Sequence, residues 1–150
     1  MTAINLIKSL VENLREVVAD YKFVAELQNP KPVSVYEQYL PSDRFEVDTY
    51  YPLVIVSLVS VENVDKFQDR VATVTLQVAT YGGEDNDGFD GWRDMFNLSE
   101  RICQFLYSSP IIDGKFPMAE KPIFVPAETQ PIPFFYGYIS AKYFLAMERF

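Results

Sequence analysis

Hydrophobic positions along the chain form a helical stripe at its start and strand-like runs in its middle. Between residues 3 and 21 apolar side chains recur at steps of three and four, which predicts an amphipathic helix with Thr2 as its N-cap. Residues 33–40 form a predicted strand. The run 53–61, LVIVSLVSV, is almost wholly apolar and predicts a central strand covered on both faces. We interpret the helix as the cover of a sheet, with partner binding as the alternative.

The stretch 71–81 alternates between apolar and polar residues, which predicts a strand with one buried face. Together with 53–61 it should form a long antiparallel hairpin. The buried face would carry Ala72, Val74, Leu76 and Val78, and the wetter face Thr73, Thr75 and Gln77.

Six of the ten prolines lie between residues 110 and 138. Asp113-Gly114 predicts a turn there, and residues 123–125 can form only a short edge strand between two prolines. A last strand is predicted over 134–147, where Gly137 indicates a bulge or a close backbone approach. Its inward face would carry Phe135, Ile139, Ala141, Tyr143, Leu145 and Met147, and its outward face Tyr136, Tyr138, Ser140 and Lys142.

The stretch 80–96, TYGGEDNDGFDGWRDMF, holds five acidic residues and four glycines. It fits a calcium loop, an acid cluster or a turn from a strand into a helix. No glycine in it has the acids of an EF-hand at the required spacing, so we predict the turn, with Asp87 or Asp90 capping a helix over 88–107. That helix would bury Trp92, Phe96, Ser99, Cys103 and Leu106, with Met95 and Ile102 beside them, and Cys103 would be an inert buried thiol.

These elements predict an α+β fold in one domain, residues 1–150. An antiparallel or mixed sheet contains the long hairpin, about 53–81, and the two main helices, about 3–21 and 88–107, pack on it.

Composition narrows the possible chemistry. The net charge of −8 argues against general nucleic-acid binding, because phosphate contacts need clustered Lys and Arg. The chain has no histidine, which removes the usual zinc sites and the Ser-His-Asp and Cys-His arrangements. One cysteine and no signal-peptide or membrane-span pattern predict a soluble protein made in a reducing compartment.

The order of these elements resembles the tail terminator and tail-completion (head-tail joining) proteins of tailed bacteriophages. The segments that carry the resemblance are INLIKSLVENLREVV, YPLVIVSL, VATVTLQVATYGG, DGFDGWRDMFNLSERICQFLYSSP and FFYGYISAKYFLAMER, from about residue 3 to residue 147. The least similar stretch is 29–52.

The resemblance implies a structural virion protein that is not an enzyme and has no catalytic, cofactor-binding or metal-binding residues. Its partners would be other copies of itself in a ring, commonly a hexamer, the tail tube protein and the head-tail connector. It would bind no specific nucleic-acid sequence and no membrane. It would be found in the tail or neck of the virion, and in the host cytoplasm during assembly.

If such a ring encloses a path for DNA, acidic side chains should face the channel so that DNA passes without sticking. Solvated outer loops are the alternative for the same residues. Candidate channel or interface acids are Asp85, Asp87, Asp90, Asp43, Glu46 and Asp48, and candidate interface aromatics are Tyr50, Tyr51, Tyr136 and Tyr138. The other functions considered are a tail-tube or baseplate component, and a monomeric enzyme or ligand-binding domain that uses the acidic turn 84–94.

Overall fold

Two helices and six strands make up the part of the chain that the computed structural model describes, which is residues 2–22, 32–39, 52–63, 70–82, 89–131 and 133–145. In chain order they are α1 (Ala3–Val18), β1 (Ser34–Glu37), β2 (Leu53–Asn63), β3 (Arg70–Tyr81), α2 (Phe89–Ser108), β4 (Ile111–Ile112), β5 (Phe116–Pro126) and β6 (Phe134–Leu145). The predicted α+β fold, with two helices and a long hairpin, is confirmed.

The strands form one mixed sheet in the order β1-β2-β3-β6-β5-β4. Only β1 and β2 run parallel, and every other neighbouring pair is antiparallel. The final strand β6 pairs with β3 along its whole length, from Arg70 opposite Leu145 to Tyr81 opposite Phe134. The end of the chain therefore returns to the middle of the sheet, beside the predicted hairpin.

Helix α1 covers the β1–β2 side of the sheet and α2 covers the β3–β6–β5 side, both on the same face. The Thr2 hydroxyl accepts a hydrogen bond from the Asn5 N–H at 3.3 Å, which confirms the predicted N-cap. The buried stripe of α1 is Leu6, Ile7, Leu10, Val11, Leu14 and Val18. Each buried Leu contributes roughly 1.5–3 kcal/mol, so this helix is held by its own sheet, as predicted.

The alternation predicted for β3 and β6 is also present. On both strands the residues predicted to point inward are buried, and those predicted to point outward are half-buried or exposed. Met147 lies outside the described residues. Gly137 marks a close approach, because a Cβ there would lie 2.5 Å from Cε2 of Phe124, and the unbroken register of β6 with β3 excludes a bulge on β6 at that point.

Strand β2 is covered on both faces only over its first four residues, so the prediction for 53–61 is wrong for the rest. The reason is that β1 pairs only with Leu53–Val56. Beyond that point Gln38, at φ 68°, continues the contact through its side chain, whose carbonyl accepts from the Leu58 N–H at 2.9 Å. A register shift between Leu58 and Ser60 follows.

Two further predictions need correction. Strand β5 has 11 residues, whereas only a short edge strand over 123–125 was predicted. It contains three prolines. The buried side of α2 centres on Met95, Leu98, Ile102 and Leu106, so Trp92 and Phe96 lie at its margin and remain partly exposed. The spacing of the stripe was predicted correctly, but its angular position on the helix was not.

Candidate interaction surface

The turn from β3 into α2 brings two glycines into backbone contact. A Cβ on Gly91 would lie 2.8 Å from Cα of Gly82 and 2.7 Å from Cε2 of Phe135. The Thr80 hydroxyl donates to the Gly91 carbonyl at 2.8 Å, and the Gly82 N–H donates to the Pro133 carbonyl at 2.8 Å. These glycines allow the first turn of α2 to lie directly on the sheet.

The acidic residues predicted as channel or interface groups are mostly outside the described residues: Asp85, Asp87, Asp43, Glu46 and Asp48. Asp90 is described and lies in the first turn of α2, where an acid was predicted, but it is the second residue of the helix and therefore not its N-cap. Its carboxylate contacts the Arg93 guanidinium at 3.3 Å, and both side chains are largely exposed. An exposed pair at this spacing contributes little to stability, so Asp90 is a solvated helix-start acid.

Asp94 of α2 is buried and fixes the segment that follows α1. The Tyr21 hydroxyl lies 3.3 Å from Oδ1 of Asp94 and 3.4 Å from its backbone carbonyl. Burial, and then the negative charge of Asp94, raise the pKa of Tyr21 well above its ordinary value. Arg101 of α2 adds a second tie by donating to the Val17 carbonyl at 2.9 Å. Sequence reasoning did not single out these residues, because they are far apart in the chain.

Cys103 is half-buried on α2, and burial raises the pKa of its thiol. A raised pKa lowers the fraction of reactive thiolate, which agrees with the predicted inert cysteine. Within the described ranges, no three His, Cys, Asp or Glu side chains are grouped so that they could hold a metal ion.

The sheet face opposite the helices carries a second, smaller apolar cluster. Its buried members are Leu53, Ile55 and Ala79, and the side chains packed on them are Tyr36, Tyr81, Phe134 and Tyr136. Tyr136, predicted as an interface aromatic, belongs to this cluster. Its backbone is also fixed by Gln130, whose side-chain carbonyl accepts from the Tyr136 N–H at 2.7 Å. Tyr138 is the more exposed of the two, and Tyr50 and Tyr51 lie outside the described residues.

Large apolar side chains are exposed along the β5 side of the sheet, and we call this surface the β5 ridge. Its members are Trp92, Phe96 and Tyr107 of α2, Ile111 of β4, Ile123 and Val125 of β5, and Tyr138 of β6. On the helix side, Trp92 stacks on Phe96 with ring centroids 5.4 Å apart, and Phe96 meets Phe124 edge-on at 5.6 Å. On the other side of the strand, Val125 pairs with Tyr138. The ridge therefore wraps around one edge of the sheet.

A proline blocks the backbone of β5 at this edge. The Ala127 N–H donates to the Tyr136 carbonyl at 3.0 Å, and in an antiparallel ladder hydrogen-bonded and non-bonded pairs alternate. With Pro126 opposite Gly137, the backbone of Pro126 faces away from β6, and the same alternation turns Phe124 outward. Proline has no N–H, so of these two positions only Phe124 offers an outward donor.

Sequence reasoning missed the β5 ridge, although part of its signal is present in the chain. The pattern PIFVP places Ile123 and Val125 on one face and Phe124 on the other, which is typical of a strand with two apolar faces. This pattern was not interpreted as a long strand, because prolines normally argue against one. The exposure of Trp92 follows from the angular position of α2, which no local pattern specifies.

The chain matches no protein-family model, and no curated protein matches it. No helix in the described part of the chain is long and apolar enough to cross a membrane.

Proposed function

We propose that this chain is a structural component of a tailed-bacteriophage particle, a tail terminator or neck protein. Copies of the chain form a ring, commonly of six, that caps the tail tube and joins it to the head connector. The order of elements supports this proposal. An amphipathic helix is followed by the hairpin β2–β3, helix α2, a proline-rich segment and the returning strand β6, which is the order on which the resemblance depends.

The observation that carries the proposal is the β5 ridge. Apolar surface of this extent on one side of a sheet marks a site of interaction with another molecule. The ridge combines aromatic and branched side chains and includes a stacked Trp92–Phe96 pair, which is the composition typical of protein–protein interfaces. A protein that functions by assembly is expected to present such a surface.

The described titratable groups also support a structural role over a ligand-binding or enzymatic domain. Asp94 and Tyr21 tie α2 to the segment that follows α1. Asp90 pairs with its helix neighbour Arg93. These groups lie in separate contacts and do not converge on a cleft as a catalytic pair would.

The test is electron microscopy of tail tubes assembled with and without the purified protein. We expect added density at one end of each tube and a narrower distribution of tube lengths. Density along the tube wall would instead identify a tube or baseplate component. Tubes with no bound protein and unchanged lengths would contradict the proposal.

A further inference from the structure

The β5 ridge presents enough apolar surface for a stable contact with another protein. Its seven members are between 38% and 60% exposed. Together they present several hundred Å² of surface, which approaches the ~800 Å² that each partner buries in a standard interface. A single exposed apolar residue needs no partner, but a set of this size along one side of the sheet is typical of an interaction surface.

The charged groups around the ridge nearly balance. Asp90 contacts Arg93 at 3.3 Å, Glu120 lies 3.8 Å from Lys142, and the ammonium group of Lys121 lies 5.7 Å from the centre of the Tyr107 ring. With the exposed Glu100, four residues after Phe96, and Glu128, three residues after Val125, four acids and three bases border the ridge on a chain whose net charge is −8. Two copies of such a chain repel each other, so a contact between copies requires a surface without excess negative charge.

The ridge is also unsuited to strand addition. Pro126 leaves the outward side of β5 without one of the donors that a neighbouring strand would need. Register shifts between Met118 and Glu120 and between Glu120 and Ile123 distort the same edge further. A partner on this side must therefore contact side chains.

We propose that a second copy of this chain covers the β5 ridge through side-chain packing and leaves the outward backbone of β5 unpaired. The inference rests on the proposed function in that both require more than one copy. It goes further by specifying the surface of the chain that makes the contact and the kind of interaction involved. A second copy is favoured over a charged partner because the ridge has an apolar centre and a rim with little net charge, as interfaces between identical chains commonly have.

The test compares two matched substitutions, Ile123→Glu on the ridge and Ile4→Glu on α1. Both isoleucines are 60% exposed, so both variants should fold, which thermal unfolding at low concentration would verify. Self-association is measured by sedimentation over a range of concentrations. We expect Ile123→Glu to weaken it roughly tenfold or more, because a charge is placed within an apolar contact. Ile4→Glu adds the same charge elsewhere and should change it much less.

The outcomes separate this inference from the proposed function. Equal association of the two variants, or a monomer up to millimolar concentration, would overturn the contact assigned to the ridge. An oligomer that is lost only in Ile123→Glu would support the ridge contact, even if the protein left tail tubes unchanged, and in that case only the terminator role would be wrong. Terminal density on tubes with Ile123→Glu equal to that of the unaltered protein would overturn the ridge contact and leave the terminator role intact.

Discussion

At the scale of single residues, Tyr143 is the clearest exception to complete hydrogen bonding. Among the described residues it carries the one buried side-chain polar atom without a hydrogen-bond partner. Burial raises the pKa of its hydroxyl well above the ordinary value. Tyr21 has the opposite arrangement, because its hydroxyl lies within hydrogen-bonding distance of two oxygens of Asp94. The two tyrosines therefore form a natural pair for comparison.

We predict that Tyr143→Phe leaves the free energy of unfolding unchanged or raises it by about 1–2 kcal/mol. The reason is that burying a hydroxyl costs desolvation energy, and here no hydrogen bond offsets that cost. Tyr21→Phe should instead lower it by about 1–3 kcal/mol, since it removes a hydrogen bond to the buried Asp94 carboxylate. Urea unfolding of the two variants measures both changes. A clear loss of stability in Tyr143→Phe would mean that its hydroxyl has a partner.

At the scale of elements, the contact between α2 and the sheet depends on two glycines, which have no side chain to separate the backbones. Gly91 is the third residue of α2, and its backbone lies against Gly82 at the end of β3. Helix propensity alone ranks Gly→Ala as a gain of up to about 1 kcal/mol. The packing predicts the reverse sign, because the new methyl group would overlap backbone and the Phe135 ring.

We predict that Gly91→Ala lowers the free energy of unfolding by about 1–3 kcal/mol, the usual range for overpacking. Gln104→Ala is the control on the same helix, where the side chain is exposed and the change should be within about 0.5 kcal/mol. Denaturant unfolding of both variants tests this. If Gly91→Ala were as stable as the unaltered chain, the close contact between helix and sheet would be wrong.

At the scale of the whole molecule, negative charge is concentrated away from the regular elements. The described ranges contain 11 acidic and 9 basic residues, which leaves 10 acidic and 4 basic residues elsewhere in the chain. Repulsion between copies therefore arises mainly outside the described surface. The near-neutral β5 ridge is the described surface best able to bring two copies together.

We predict that self-association strengthens when ionic strength rises from about 10 mM to about 150 mM, because the screening length falls from roughly 30 Å to 8 Å and weakens the repulsion between copies. Sedimentation at the two salt concentrations measures the change. A contact held mainly by ion pairs would show the opposite trend, and weaker association at higher salt would contradict an apolar interface.

Local patterns in the sequence were sufficient for the type and approximate limits of the main elements. The period of α1, the alternation of β3 and the Asp113-Gly114 turn were predicted from neighbouring residues alone. In the structure that turn has φ 53° and 67° at its two central residues and a hydrogen bond from the Lys115 N–H to the Ile112 carbonyl, as expected for a two-residue hairpin turn. These features depend on interactions within a few residues, which the sequence contains directly.

The tertiary structure decided which surfaces stay exposed and which glycines are essential for packing. Trp92 and Phe96 were predicted to be buried, but the angle at which α2 lies on the sheet leaves them on the β5 ridge. Gly82 and Gly91 are nine positions apart in the chain and meet only because the first turn of α2 folds back onto the end of β3. The length of β5 was set by pairing with β6, since a proline whose backbone faces outward, such as Pro126, does not interrupt that ladder. The sequence by itself determined the elements, because they arise from local periodicity, whereas the candidate interaction surface arises from contacts between distant segments.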